Sequence, residues 1–394
     1  MKLNKAWCLI PVITILLSGC NSLNIRDIKD ISAVVENPAS AKQVIKSRGQ
    51  SYVNSQIPTD VRALKATIEK FVKQVVDIWG EDNAKQSSQK EYVKYTDNYY
   101  NRAHINFENG TVTIETLAPD SQKDYLKKAI ITTLLTSDDP RQVDLFSDAA
   151  PAGSEESKSK PFLYEQVLDH DGKPIEWQWR ANRYAEYLIK NKISKVKIGN
   201  KNGLRVIFPL VKTHQKIRAY KYASLVRKYS KKYNVTESLI YGIIKTESSF
   251  NPFAVSHAPA YGLMQIVPST AGRDVFEKIK KTSGQPTPQN LYNPEYNIDI
   301  GTAYVKILQE QYLVKVKDQN ARRYTVISAY NGGAGNVLKT FSSNREQAMV
   351  KINQLSSNEV YEQLTNKHPK QESRRYLYKV NEAQKEFWKT PAWK

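Results

Sequence analysis

Cysteine is nearly absent from this chain of 394 residues: there are two, Cys8 and Cys20, both within the first twenty positions. No disulfide is therefore expected in the mature protein, and its stability has to come from hydrophobic cores, for which the length is ample. Acidic residues are also scarce, 39 Asp and Glu against 59 Lys and Arg, a formal net charge of +20. Such an excess favours a polyanionic partner, whether nucleic acid, acidic lipid or an acidic cell-wall polymer, and composition does not choose among them. The apolar stretch 6–17 is too short to span a bilayer comfortably. The first half of the chain also lacks a catalytic constellation. His170 lies between Asp169 and Asp171, but consecutive residues do not converge on one ion, so the triplet reads as a surface turn. No metal and no cofactor is expected.

What is present begins at the N-terminus. Lys2 and Lys5 precede the apolar core 6–17, which ends in Leu17-Ser18-Gly19-Cys20. This segment resembles the signal and lipobox of bacterial lipoproteins. The resemblance implies cleavage before Cys20, acylation of Cys20, and a lipid anchor with enough chains to hold stably. Asn21 stands where an aspartate would resemble an inner-membrane retention signal, so the implied location is the outer membrane, facing the periplasm. Residues 1–19 are then a signal peptide and 20–48 a lipidated tether.

Residues 49–211 mix helix and strand signals. Val61, Leu64, Ile68, Val72, Val75 and Val76 form the stripe of one amphipathic helix over 59–79. Residues 105–107 and 112–114 alternate across Asn109-Gly110, a strong hairpin signal. A helix is expected over 122–135, an exposed loop over 149–161, a strand at 175–179 and a helix at 181–190. A second hairpin joins 193–198 to 204–210 around residues 200–203. The expectation is an α+β accessory domain closed by a sheet.

From Lys212 the pattern turns helical. The stretch 212–233 holds eight Lys or Arg and no acidic residue, interleaved with four tyrosines. A nucleic-acid binder could carry such a stretch, but the commoner arrangement is the solvated face of an amphipathic helix. Asn234 and Glu237 read as a capping box opening a helix to about Ser248, with Leu239, Ile240, Ile243 and Ile244 on its inner face. Glu247 follows Ile243 by four and Ile244 by three, which puts its carboxyl on the apolar face. Desolvation there disfavours ionisation, and a carboxyl kept protonated near neutral pH can act as a general acid. Asn251-Pro252 breaks this helix. Further helices are expected at 268–280, from Asn293-Pro294 onward with Ile300, Ile307 and Leu308 inward, at 323–330, from 336, and from 376 to about 388. Glu277, Glu295 and Asp299 show ordinary surface spacing, and Asp274 reads as a first-turn charge, so no second positioned carboxylate is evident.

Four segments then combine: ESSFNP at 247–252, GLMQIVP at 262–268, AYNGG at 329–333 and ESRRYLYKV at 372–380. In this order they resemble the motifs of the soluble-lytic-transglycosylase-like family of peptidoglycan-cleaving enzymes, over about 212–394. The one departure is Ser373, where threonine is usual. The resemblance implies an all-α lysozyme-like catalytic domain of the goose-type or transglycosylase kind, following the α+β N-terminal domain. It implies Glu247 as the catalytic acid and base acting on peptidoglycan glycan strands without consuming water. Gln265 and Met264 would line the floor, Tyr330 hold the substrate acetamido group, and Asn331 bond a neighbouring sugar. Tyr376 would reach the reaction centre with Glu372 one turn earlier, and Ser248 would support the cleft. A lysozyme-type hydrolase would need a second carboxylate, and a non-enzymatic peptidoglycan-binding lipoprotein would have no need of Glu247. Export argues against nucleic acid, while cell-wall or division machinery proteins are candidate partners.

Overall fold

A computed structural model describes residues 59–388 apart from 155, 157 and 257–259, with side chains from residue 69 onward. Cys20, the signal peptide and the tether lie outside the described residues, as do the side chains of Val61, Leu64 and Ile68 in the first stripe. Five strands, β1 (Glu91–Thr96), β2 (Asn101–Asn106), β3 (Thr111–Thr116), β4 (Ser194–Ile198) and β5 (Lys201–Pro209), form one antiparallel sheet in the order β1-β2-β3-β5-β4. Of its three hairpins, β2-β3 and β4-β5 are those the sequence announces, the latter tightened to a turn at Gly199-Asn200, while β1-β2 is not announced. β1 carries no readable alternation, because residues 92–96 are all buried: the sheet is covered on both faces.

One face meets α1 (Thr59–Trp79). Its buried line is Phe71, Val75 and Trp79, not the expected Val72 and Val76, which are only half-buried. The helix is rotated so that its two large rings, with more area to bury, reach Tyr95, Val93 and Leu117. The same face holds a buried charge cluster. Arg102 on β2 donates to Glu115 on β3 at 2.5 and 2.9 Å, Arg205 on β5 reaches the other carboxylate oxygen at 2.7 Å, and the Arg102 guanidinium covers the Trp79 ring at 3.9 Å. The opposite face packs on α2 (Gln122–Leu135) and α3 (Gln178–Asn191). The strand expected at 175–179 is absent: Trp177 is the extended residue before α3, and only Ile175 enters the core. Part of the loop 149–161 is pinned, with Gly153 and Pro161 bridging residues 136 and 137.

The remainder is helical around a second core: α4 (His214–Lys221), α5 (Ala223–Tyr233), α6 (Glu237–Ser248), α7 (Pro294–Ile307), α8 (Gln319–Gly332), α9 (Ala334–Phe341), α10 (Arg345–Gln354), α11 (Ser357–Lys367) and α12 (Gln371–Trp388). Residues 268–280 form a helix whose two ends are wound with the wider π spacing. Asn234 does not open α6. It takes a left-handed conformation that ends α5, a role asparagine tolerates, and α6 starts after Thr236. α6 ends at Ser248, before Asn251-Pro252, because Ser249 and Phe250 turn left-handed at φ 50° and 61°. Two helices escaped the sequence reading despite their start signals, the Asn344 cap of α10 and the Ser356/Glu359 capping box of α11. The basic stretch 212–233 folds as two helices; Arg218 within it is buried, not solvated. Asp299, expected at the surface, is buried and receives Lys232, Lys280 and Tyr233.

Removing Glu115 would leave the Arg102 cation buried without its carboxylate, so Glu115→Ala should cost about 3–5 kcal/mol. Urea unfolding followed by far-ultraviolet circular dichroism measures it, and a loss below about 1 kcal/mol would show that the cluster contributes little.

Candidate active site

Ile240, Ile243 and Ile244 drive one face of α6 into the helical core, and Gly242 lets α12 cross close behind, since a Cβ there would stand 2.8 Å from Gln384 Cγ. Glu247 is the penultimate residue of this helix and is carried inward with that face, only 8% exposed. Burial pushes its pKa up to about 8; the Glu372 charge adds to the rise, while Tyr376 and the Lys90 ammonium oppose it. Tyr376 is buried beside it on α12. Its hydroxyl interacts with the carboxyl without completing a hydrogen bond of ordinary geometry. Burial first, and then the Glu247 charge, raise both Tyr376 and Tyr330 well above the usual tyrosine range, so both stay protonated.

The loop following α6 is built from inside. Ser248 Oγ donates to Leu263 O at 2.8 Å and to Ile244 O at 3.0 Å, fastening the helix end to the loop. Asn297, buried in the first turn of α7, accepts from Met264 N at 2.8 Å and donates to Tyr261 O and Leu291 O, both at 2.8 Å. Gly262, at φ 72°, is required because a Cβ would collide with Leu291 O and Asn297. Met264 is wholly buried with its sulfur against Gly301, so it supports the floor from beneath rather than lining it. Tyr330 on α8 donates to Met264 O at 2.8 Å, which fixes its ring over the same loop.

Gln265 differs from expectation. Its amide nitrogen donates to Gly262 O at 2.9 Å and Ala254 O at 3.2 Å, so those donors hold the loop in shape and are not free for a sugar. A left-handed backbone, φ 49°, turns the side chain back on its own loop. Asn331 donates to Glu372 at 3.1 Å and accepts from Ser373 Oγ at 2.6 Å. Ser373 thus joins α12 to α8, and the hydroxyl it shares with threonine makes the bond. Glu372 is exposed at the rim.

The structure therefore gathers Glu247, Tyr376, Tyr330 and the 262–265 loop, with Asn331 and Glu372 paired at one side and Cys20 outside the described residues. It also adds a wall that the sequence did not announce. Gln89, just before β1, donates to Gln265 Oε1 at 3.5 Å, and its backbone carbonyl accepts from Asn251 at 3.2 Å. Val255 N reaches Ser88 O at 3.4 Å, and Phe253 packs on Tyr92 and Phe162. Lys90, paired with Glu108 at 2.7 Å, brings its charge within range of Glu247. No local signal marks residues 88–90, because their role comes from packing between segments far apart in the chain. Arg218 ties the same joint by donating to Gln166, to Phe107 O and to Ser249 O.

Residues 224–353 match the family model described as the transglycosylase SLT domain, and residues 57–221 match that of the membrane-bound lytic murein transglycosylase C N-terminal domain. The first match, together with the buried carboxyl, defines the class as a lytic transglycosylase. A relative named membrane-bound lytic murein transglycosylase C from Photorhabdus laumondii is 51% identical over 332 residues, 83% of this chain and 91% of its own. One of the same name from Yersinia enterocolitica is 49% identical over 338 residues, covering 85% and 92%. The chain belongs to the membrane-bound lytic murein transglycosylase C family. Among solved structures it is similar to the 70 kDa soluble lytic transglycosylase of Escherichia coli, at 26% identity with a TM-score of 0.33 over 43% of this chain and 24% of that one. A complex of the 70-kDa soluble lytic transglycosylase with bulgecin A gives 25% identity and a TM-score of 0.34 over 45% and 26%.

A carboxyl whose pKa is raised on folding destabilises the fold as pH rises from the unfolded value, near 4.5, to the folded one, about 8. Below pH 4 both states are protonated and the penalty vanishes. Glu247→Gln should therefore be more stable than the parent at pH 7.5, by up to about 4 kcal/mol, and close to it near pH 4. Chemical denaturation at the two pH values checks this; equal stabilities at pH 7.5 would show that the carboxyl titrates normally.

Proposed function

We propose that this peptidoglycan lytic transglycosylase works through Glu247 alone as general acid and then general base. The observation that carries the reading is the burial of that carboxyl, which keeps it protonated near neutral pH, beside two neutral tyrosines. Glu247 gives its proton to the oxygen joining N-acetylmuramic acid to N-acetylglucosamine, and the glycosidic bond breaks. The acetamido oxygen of the muramoyl residue closes on C1 as an oxazolinium. The Glu247 carboxylate then takes the proton of the C6 hydroxyl as that oxygen attacks C1, releasing the acetamido group and leaving a 1,6-anhydro end. One residue in both roles needs a pKa between the two tasks, and a value about 8 fits that demand. Tyr376 steadies the carboxyl, Tyr330 orients the acetamido group, and Asn331 with Glu372 meets a neighbouring sugar. Gln265 shapes the loop, its carbonyl oxygen facing Gln89, and Ser248 and Met264 hold the floor.

The chain is read as a signal peptide at 1–19, a tether at 20–48, an accessory domain at 49–211 and a catalytic domain at 212–394, with α4 as the connecting helix. Among the described residues no helix is long and apolar enough to cross a membrane. The name of the relatives, membrane-bound, supports a lipid anchor at Cys20, and the Asn21 neighbour supports the outer membrane facing the periplasm.

Glu247→Gln should retain the fold and bind purified peptidoglycan yet release no muropeptides. The parent protein should release products lighter by one water than hydrolytic ones, read by mass spectrometry. Reducing ends would establish hydrolysis instead, and cleavage by Glu247→Gln would remove the mechanism.

A further inference from the structure

Phe253 lies in the stretch 224–353 that matches the transglycosylase domain, yet its ring is buried in the core of the accessory half. The left-handed Ser249 and Phe250 turn the chain off the end of α6, and Asn251 Oδ1 then accepts from Phe253 N at 3.0 Å, a turn that sends the ring toward the sheet. Its centre lies 5.0 Å from that of Tyr92 on β1 and 5.2 Å from that of Phe162, both rings meeting it at steep angles, and it is 1% exposed. Bonds on either side keep it there: Asn251 Nδ2 donates to Gln89 O at 3.2 Å and Val255 N to Ser88 O at 3.4 Å. Between these two ties, Ala254 O accepts from Gly262 N and from Gln265 Nε2, both at 3.2 Å. Gly262 and Gln265 belong to the floor loop that Ser248, Asn297 and Tyr330 fasten beside Glu247. Contacts therefore run without a break from the accessory core, through Phe253 and Ala254, to the loop beside the catalytic carboxyl.

We propose that Phe253 is a positioning residue for the reaction: seated in the accessory core, its ring fixes the Ala254 carbonyl, and through it the 262–265 loop that shields the Glu247 carboxyl from water. The inference rests on the reading of Glu247 as the catalytic acid. A ring so deeply buried has no access to a glycan strand, so whatever Phe253 does for the chemistry it does through that loop. Its removal would leave the 251–255 segment without its largest buried side chain, and the Ala254 carbonyl free to move away from Gly262 and Gln265. Water then reaches Glu247. Burial is the largest influence on that carboxyl and holds its pKa up at about 8, so added water lowers it. The other groups that act on it stay in place: Tyr376 and Glu372 on α12, Tyr330 on α8, and Lys90 in its pair with Glu108. As the acid has to be protonated to cleave, a lower pKa ends activity at a lower pH.

The test uses the full chain and purified sacculi, with muropeptide release followed as a function of pH. Phe253→Ala should lower the maximal rate about tenfold or more and move the alkaline limb of the profile down by about one pH unit. Phe253→Leu, which keeps an apolar group in the core, should restore most of both. In the Glu247→Gln background Phe253→Ala should bind sacculi as well as its parent does, which separates turnover from binding. Phe208→Ala supplies the control for lost stability alone, since Phe208 is buried in the same core against Tyr184 of α3. It should leave the limb where the parent has it. Should Phe253→Ala not fold, Phe253→Val takes its place under the same criterion. An alkaline limb at the parent's pH in the Phe253 variant, or an equal shift in Phe208→Ala, overturns the proposal. Cleavage by Glu247→Gln with Phe253 intact would instead overturn the reading of Glu247 on which it rests.

Discussion

The structure depends on keeping one carboxyl out of water. Glu247 rides inward on the isoleucine face of α6, and the described residues around it hold that position without supplying a cation in contact with it. An arginine or lysine at hydrogen-bond distance would ionise the carboxyl. The neighbours are instead two tyrosines made less acidic by their own burial. Lys90 acts from farther off and only moderates the shift.

That loop shows how a cleft can be made from groups that never face the substrate. Asn297 reads as an ordinary polar residue in a helix, yet its amide satisfies one N–H and two carbonyls of the 261–264 turn and of Leu291. Gln265 spends its donors likewise. Buried polar groups of this sort are costly unless fully paired, and once paired they specify a single arrangement. The loop is therefore tied into one arrangement beside Glu247.

The helical half was legible because its signals are local. Isoleucines at helical spacing place Glu247 on the inner face of its helix, Asn293-Pro294 opens α7, and the four motifs mark segments that the fold brings together around it. The losses have physical reasons. Asn234 can open a helix or close one in left-handed form, and the geometry of α5 decided. β1 is buried on both faces and so has no alternation to read. The burial of Asp299 depends on Lys232 and Lys280, which lie 67 and 19 residues away in the chain. The 88–90 wall was invisible for the same reason: Gln89 and Gln265 are separated by 176 positions. In the accessory half the hairpins and α2 were readable from turn residues and periodicity, while Trp177 and Trp179 suggested a strand because exposed aromatics imitate β-propensity.

Arg218 bears on how such a protein can change over evolutionary time. A single guanidinium, 3% exposed, divides its donors between Gln166 and Phe107 on one side and the carbonyl just beyond the Glu247 helix on the other. Neither half is complete as an independent cassette, because separating them strands a cation and several acceptors in an apolar joint. Recombination that exchanged the accessory half for another would have to bring a matching set of acceptors with it. A substitution at this seam leaves a buried donor or acceptor unpaired unless its partner changes with it.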